Sequence, residues 1–119
     1  MGGEIDLYGS NIISLPDNLH VGGGNLDLAY TDITSLPNNL YVDNNLNLSY
    51  TNITSLPDNL YVGWILDLRH TKITSLPDNL KVGGYLSLSF TPLSEKYSED
   101  EIRKMIEDRG GSVGGEIFS

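Results

Sequence analysis

Residues 46–68 read LNLSYTNITSLPDNLYVGWILDL. The stretch opens and closes on the same kind of tripeptide, LNL and LDL, with SLPDNL between them. Apolar and polar residues alternate in each tripeptide, the period-two mark of a strand with one buried side. Leu46 and Leu48 point one way and Asn47 the other. Outward from here the unit recurs along the chain. Leu-Pro pairs begin at Leu15, Leu36, Leu56 and Leu76, in steps of 21, 20 and 20 residues, and one additional glycine in VGGGN accounts for the longer step. The shared pattern is L-x-L-x-x-T-x-I-T-S-L-P-D-N-L-x-V-x-x-x, so a repeat governs the reading of the whole chain.

Strands are predicted near 5–7, 26–28, 46–48, 66–68 and 86–88. One full repeat joins each strand to the next, so they run parallel. About 20 residues leave no room for a regular helix on the way back. The return leg is expected to be irregular, extended or a 3-10 turn, bending at LPDNL. Pro16, Pro37, Pro57 and Pro77 exclude a central strand there. A second short extended piece, LYV or LKV, precedes the next turn. Each copy supplies apolar residues of the set Val42, Leu46, Leu48, Ile53, Leu56 and Leu60, which stack in columns from copy to copy. No copy can bury its apolar side alone, so the stack is the folding unit. Six rungs at a strand spacing of roughly 4.8 Å make a ladder about 24 Å long.

The stretch quoted above resembles a leucine-rich repeat of the short bacterial type. Family repeats place an asparagine where this chain has Thr31, Thr51, Thr71 and Thr91. A threonine hydroxyl there can bond the backbone and the next rung. SLPDNL is similar to the LPxxL of bacterial effector repeats, and the fuller wording ITSLPDNLxVGGxLxLxxT is similar to small repeat proteins of bacteria and bacteriophages. The resemblance covers residues 1–93. It implies a leucine-rich-repeat solenoid that binds proteins, with an inhibitor or adaptor acting on a host protein in the host cytoplasm as its concrete form.

The chain ends carry the repeat in altered form. GGEI occurs at Gly2–Ile5 and at Gly114–Ile117, and both copies align with the turn entering a strand. Between Thr91 and Val113 a helix is predicted over about 98–109. Ser98 and Glu101 form a capping box there, Ile102, Met105 and Ile106 give an apolar stripe, and Gly110 or Gly111 stops it. The organisation is therefore repeats over 1–93, then a capping helix and a final strand over 94–119. An open first rung also invites a second copy to pair at the N-terminal edge, which makes a self-assembling structural protein the alternative function.

Sixteen acidic against 7 basic residues give a formal charge of −9, which excludes a phosphate-binding footprint and an anionic membrane surface. A protein partner with a basic patch is expected. The first residues lack the basic start and apolar core of a secretory signal, though a mature secreted chain would read the same. With no cysteine there is no disulfide or thiolate chemistry. No nucleophile elbow, phosphate loop or zinc spacing is present, so neither an enzyme nor a cofactor or metal is expected.

Function is then sought on the outward columns of the ladder. One column holds Asp6, Asp27, Asn47, Asp67 and Ser87; beside it run Glu4, Asn25, Asn45, Ile65 and Tyr85. Further along come Ala29, Ser49, Arg69 and Ser89, then Tyr30, Tyr50, His70 and Phe90. Two readings stand: a binding surface with aromatic and arginine anchors, or a solvated ladder of duplicated residues. Trp64 and Ile65 replace turn glycines and Arg69 and His70 replace Ser-Tyr, all in one repeat, which suggests a hot spot beside a cationic patch. A separate column, His20, Tyr41, Tyr61 and Lys81, faces another side.

Overall fold

The computed structural model describes residues 4–119; the turn expected at Gly2–Gly3 lies outside them. The chain coils as a parallel β-solenoid with two ladders. The first comprises β1 (Ile5–Asp6), β3 (Leu26–Asp27), β5 (Leu46–Asn47), β7 (Leu66–Asp67), β9 (Leu86–Ser87) and β11 (Ile117–Phe118). The second comprises β2 (His20–Val21), β4 (Tyr41–Val42), β6 (Tyr61–Val62), β8 (Lys81–Val82) and β10 (Ser112–Val113). Every pairing is parallel and in the register of the repeat, with Leu26 opposite Leu46 and Val42 opposite Val62. The LYV segment is thus a full second ladder. Each strand is two residues long, shorter than the alternation suggested, because a turn follows at once.

Up to Thr91 the return legs contain no helix, 3-10 included, among the described residues. They make a sparse third set of rung-to-rung bonds, including Lys72 N–H to Ile53 O at 3.1 Å and Thr74 N–H to Thr54 O at 3.1 Å. The core fills the coil. Val42, Leu46, Leu48, Ile53 and Leu60, like their equivalents in the neighbouring rungs, are completely buried. Like side chains stack on like, which keeps the rung spacing uniform.

Two helices end the chain where one was expected. α1 (Pro92–Lys96) is capped by Thr91, whose hydroxyl accepts from Ser94 N–H at 3.1 Å while donating to Leu88 O at 2.7 Å. Pro92 at the first helical position fixes φ for the turn. The sequence shows this as T-P-L-S, a short capping box that the repeat reading passed over. α2 (Glu99–Asp108) has the expected Ser98 cap with Glu101 reaching back. It stops as Gly111 N–H bonds Ile106 O at 2.9 Å and Gly110 N–H bonds Glu107 O at 3.1 Å. Ile102 and Ile106 are buried in the core.

Arg103 and Glu99 of α2 cap part of the final rung. In the second ladder and the turn after it, N–H groups donate one rung back: Gly83 to Val62 O (2.9 Å), Gly114 to Val82 O (2.8 Å) and Gly115 to Gly84 O (2.8 Å). That series leaves the carbonyls of Val113 and Gly115 pointing past the last rung. The Arg103 guanidinium donates to both, at 2.9 and 2.6 Å, standing in for two amides of a further rung. In the first ladder the direction reverses, as Leu88 N–H donates to Phe118 O. Ser119 N–H is one of the outward groups there, and a Glu99 carboxylate oxygen accepts it at 3.2 Å. Donors meet acceptors at the carbonyl edge and acceptors meet donors at the amide edge.

Candidate functional site

The outward column of Asp6, Asp27, Asn47 and Asp67 shapes the turn that follows each strand. One side-chain oxygen of each accepts the N–H two residues on, from Tyr8, Ala29, Ser49 and Arg69, at 3.0–3.1 Å. That N–H is thereby withdrawn from the ladder, where it would have met a leucine carbonyl of the preceding rung. The threonines satisfy that carbonyl: Thr31, Thr51, Thr71 and Thr91 donate to Leu28, Leu48, Leu68 and Leu88 O at 2.7–2.8 Å. The hydroxyl bonds the backbone, as expected, but that of its own rung and not of the next. Asp27 and Asp67 therefore have a structural task as well as a surface position.

The turn places the following residue in the left-handed backbone region. Gly9, Tyr30, Tyr50, His70 and Phe90 have φ of 67°, 59°, 60°, 58° and 62°. A second left-handed column lies at the LPDNL bend, where Asn18, Asn39, Asn59, Asn79 and Gly110 have φ of 62°, 60°, 64°, 57° and 82°. The same backbone requirement has thus been met in two ways within one chain. The bend uses asparagine and glycine, the residues that tolerate this region, and Asn39 and Asn79 also bond Asn18 and Asn59 side chain to side chain at 2.9 and 3.0 Å. The other column, after Gly9, uses aromatics, for which left-handed backbone costs roughly 1–2 kcal/mol per L-residue.

These aromatics form one continuous row. Ring centroids lie 4.5 Å apart for Tyr30–Tyr50, 4.3 Å for Tyr50–His70 and 4.5 Å for His70–Phe90, with planes within 10–13° of parallel. Tyr8, one position earlier in its rung, tilts to reach Tyr30 at 5.2 Å. Stacking of this kind returns part of the backbone strain, yet the row stays open to solvent: Tyr50 is 46% exposed and Phe90 72%. Burial and the neighbouring phenols Tyr50 and Tyr8 raise the Tyr30 pKa above its ordinary value.

Arg69 corrects the expectation of a cationic patch. Its guanidinium binds Asp67 of its own rung, with Nε 3.0 Å from Oδ1 and Nη2 2.8 Å from Oδ2, and this pairing raises the arginine pKa further. The charge is neutralised within the molecule, and His70 is held as a ring of the row. The outward columns of the first ladder carry five carboxylates, Glu4, Asp6, Asp27, Asp67 and Glu116, against this single paired guanidinium.

Trp64 and Ile65 divide differently from the sequence reading. The ladder register places Trp64 level with Asn44 and Gly84, in the turn, and Ile65 level with Asn45 and Tyr85, in the outward column. Up to that point the column is an asparagine relay: Asn25 Oδ1 accepts from Asn45 N–H at 2.9 Å and Asn45 Oδ1 from Ile65 N–H at 3.0 Å. Isoleucine ends the relay, exchanging a hydrogen-bonding position for apolar surface. Trp64 lies against Gly84, where an added Cβ would sit 2.8 Å from the indole Cε3. Tyr85 lies 5.7 Å from Trp64 on one side and 5.7 Å from Phe118 on the other, all tilted. Phe118 pairs with Ser87 and so ends the column that runs from Asp6, although the inserted helices hide that register in the sequence. Tyr85 and Phe118 join Trp64 and Ile65 in one patch, while Arg69 and His70 belong to the ion pair and the row.

On the second ladder His20, Tyr41 and Tyr61 line up in the expected column: His20 meets Tyr41 edge-on at 4.3 Å, and Tyr41 stacks on Tyr61 at 4.2 Å. A hydrogen bond with Tyr61 raises the Tyr41 pKa. Among the described residues no group of acidic, cysteine or histidine side chains is arranged to hold a metal ion, and no helix is long and apolar enough to cross a membrane. Comparison with family models, with curated proteins and with solved structures returns no match.

Proposed function

We propose that the chain is a protein-binding module of the short leucine-rich-repeat kind, acting through the outer side of its first ladder by surface complementarity and not by chemistry. One observation carries the reading. Where the left-handed backbone could have been occupied by asparagine, as in the second column of the same chain, it holds Tyr30, Tyr50, His70 and Phe90 in an exposed row. Strain retained at exposed aromatics is a mark of a binding surface. The carboxylates beside the row favour a partner with a basic patch. Resemblance to bacterial and bacteriophage repeat proteins supports a host protein in the cytoplasm as the target and inhibition or adaptation as the outcome.

The test is capture of a partner from bacterial lysate, followed by binding of that isolated partner. Tyr50→Asn combined with Phe90→Asn keeps the backbone preference of both turns and removes half the row. Binding should weaken at least tenfold, while Tyr61→Ser on the second ladder should leave it unchanged. Equal loss from both, or from neither, would overturn the assignment of the face.

A self-assembling role is the second reading, and one observation favours it. Ile5, Leu7, Ile12, Leu15 and Leu19 of the first rung are only partly buried, and Ile13 is 69% exposed, whereas Leu26, Leu28, Ile33 and Leu40 one rung on are fully buried. Sedimentation at rising concentration tests it: a monomer throughout removes this reading.

A further inference from the structure

The outer side of the ladder presents aromatic rings in two different ways. In the row of Tyr30, Tyr50, His70 and Phe90 the rings are nearly parallel, so the inner faces cover one another. At the C-terminal end Trp64, Tyr85 and Phe118 meet at 55–59°, and each remains 38–48% exposed. Tilted rings leave π-faces open to a ligand. Glu116 and Ile117, in the same last rung as Phe118, line a shallow cavity of about 160 Å³ together with Glu99, Asp100 and Arg103. Arg103 is bonded to two carbonyls and Glu99 to Ser119, as described above. Asp100 and Glu116 make no ion pair among the described residues.

We propose that this end of the face, with Trp64, Tyr85 and Phe118 as its floor and Asp100 and Glu116 at its edge, receives a basic segment of the partner protein, with an arginine laid over the aromatic rings. The inference deepens the protein-binding reading and rests on it. Open π-faces next to unpaired carboxylates are complementary to a guanidinium, whose plane can stack on a ring while its N–H groups bond a carboxylate. Lysine, a compact and strongly hydrated charge, satisfies one of those contacts at a time. A second copy of the chain is a poor occupant, because 16 acidic against 7 basic residues would set like charge against like.

Trp64 is the only tryptophan and lies in the proposed site, so its emission reports occupancy. The probe is a peptide of alternating arginine and isoleucine, free of aromatic residues, compared with versions carrying lysine or glutamate in place of arginine. The arginine peptide should change Trp64 emission saturably, the lysine version should bind about tenfold more weakly, and the glutamate version should not bind. Glu116→Lys should weaken the arginine peptide at least tenfold. Asp32→Lys makes the same change of net charge on the exposed return leg and should leave affinity within about twofold. Equal weakening by the two substitutions would show attraction to overall charge only and would overturn the site. Emission indifferent to all three peptides would overturn it as well. If partner capture still depends on Tyr50 and Phe90 after such a result, the inference fails and the binding reading stands; if capture ignores the whole face, the reading itself fails.

Discussion

Replacing Arg103 by methionine should expose the last rung of the solenoid. The substitution keeps an unbranched side chain against the coil and removes both donors. Two carbonyls, of Val113 and Gly115, lose charge-assisted hydrogen bonds of 2.9 and 2.6 Å. Each such bond contributes about 1.5–3 kcal/mol, but Arg103 is only half-buried, and water can reach part of the vacated edge. A loss of about 2–4 kcal/mol follows. With a urea dependence of about 2 kcal/mol per M, the middle of the range for small domains, the midpoint should fall by roughly 1–2 M at unchanged slope. Arg103→Lys should recover about half, since one ammonium reaches one carbonyl well. The unfolding curve, followed by far-ultraviolet circular dichroism, gives both numbers. A loss below about 0.5 kcal/mol for the methionine variant, or a lysine variant equal to wild type, would show that the fork does not stand in for a missing rung.

Other consequences are separable from the cap. Asp27→Ala should cost about 1 kcal/mol by freeing the Ala29 N–H, while Asp27→Asn should be close to neutral, because the amide oxygen accepts the same bond; equal effects would contradict the turn-making role. Gly84→Ala places a methyl 2.6 Å from Trp64 O and 2.8 Å from the indole, so it should shift Trp64 emission and destabilise the fold, and an unchanged spectrum would count against the packing described. The phenols of Tyr41 and Tyr30 hold their protons above the ordinary value of 10.0, Tyr41 chiefly through Tyr61 and Tyr30 chiefly through burial. The folded state then binds more protons than the unfolded chain above about pH 10, so stability is complete below that value and falls as pH rises through the folded pKa values. Absorbance titration at 295 nm should show these two of the seven tyrosines ionising late.

The repeat made much of the architecture legible. Two-residue alternation at Leu46–Leu48 and its return every 20 residues imply parallel pairing in register, and the structure has it. Ser98, Glu101 and the glycines after Arg109 marked the terminal helix within a residue at either end. What could not be read was which neighbour each polar column satisfies. Asp27 looks like surface charge until its own turn is folded, and Arg69 looks like a free cation until Asp67 is found two residues before it on the same side. Arg103 carries no local signal, because its partners are backbone carbonyls ten and twelve residues away that become unpaired only at the end of a stack. The left-handed aromatics were visible as a column, but their backbone conformation, which sets them apart from the asparagines of the LPDNL bend, belongs to the folded turn.

The row of aromatics is tested most directly by Tyr50→Asn, measured twice. Stability and affinity for the captured partner should move independently. Asparagine relieves the left-handed backbone while two ring contacts, at 4.5 and 4.3 Å, are lost. These opposing effects of about 1–2 kcal/mol should leave stability within about 1 kcal/mol of wild type. Partner affinity, with the central ring gone, should fall at least fivefold. Unchanged affinity together with a large loss of stability would mean that the aromatic row exists to hold the coil together, and the binding surface would have to be sought elsewhere on the solenoid.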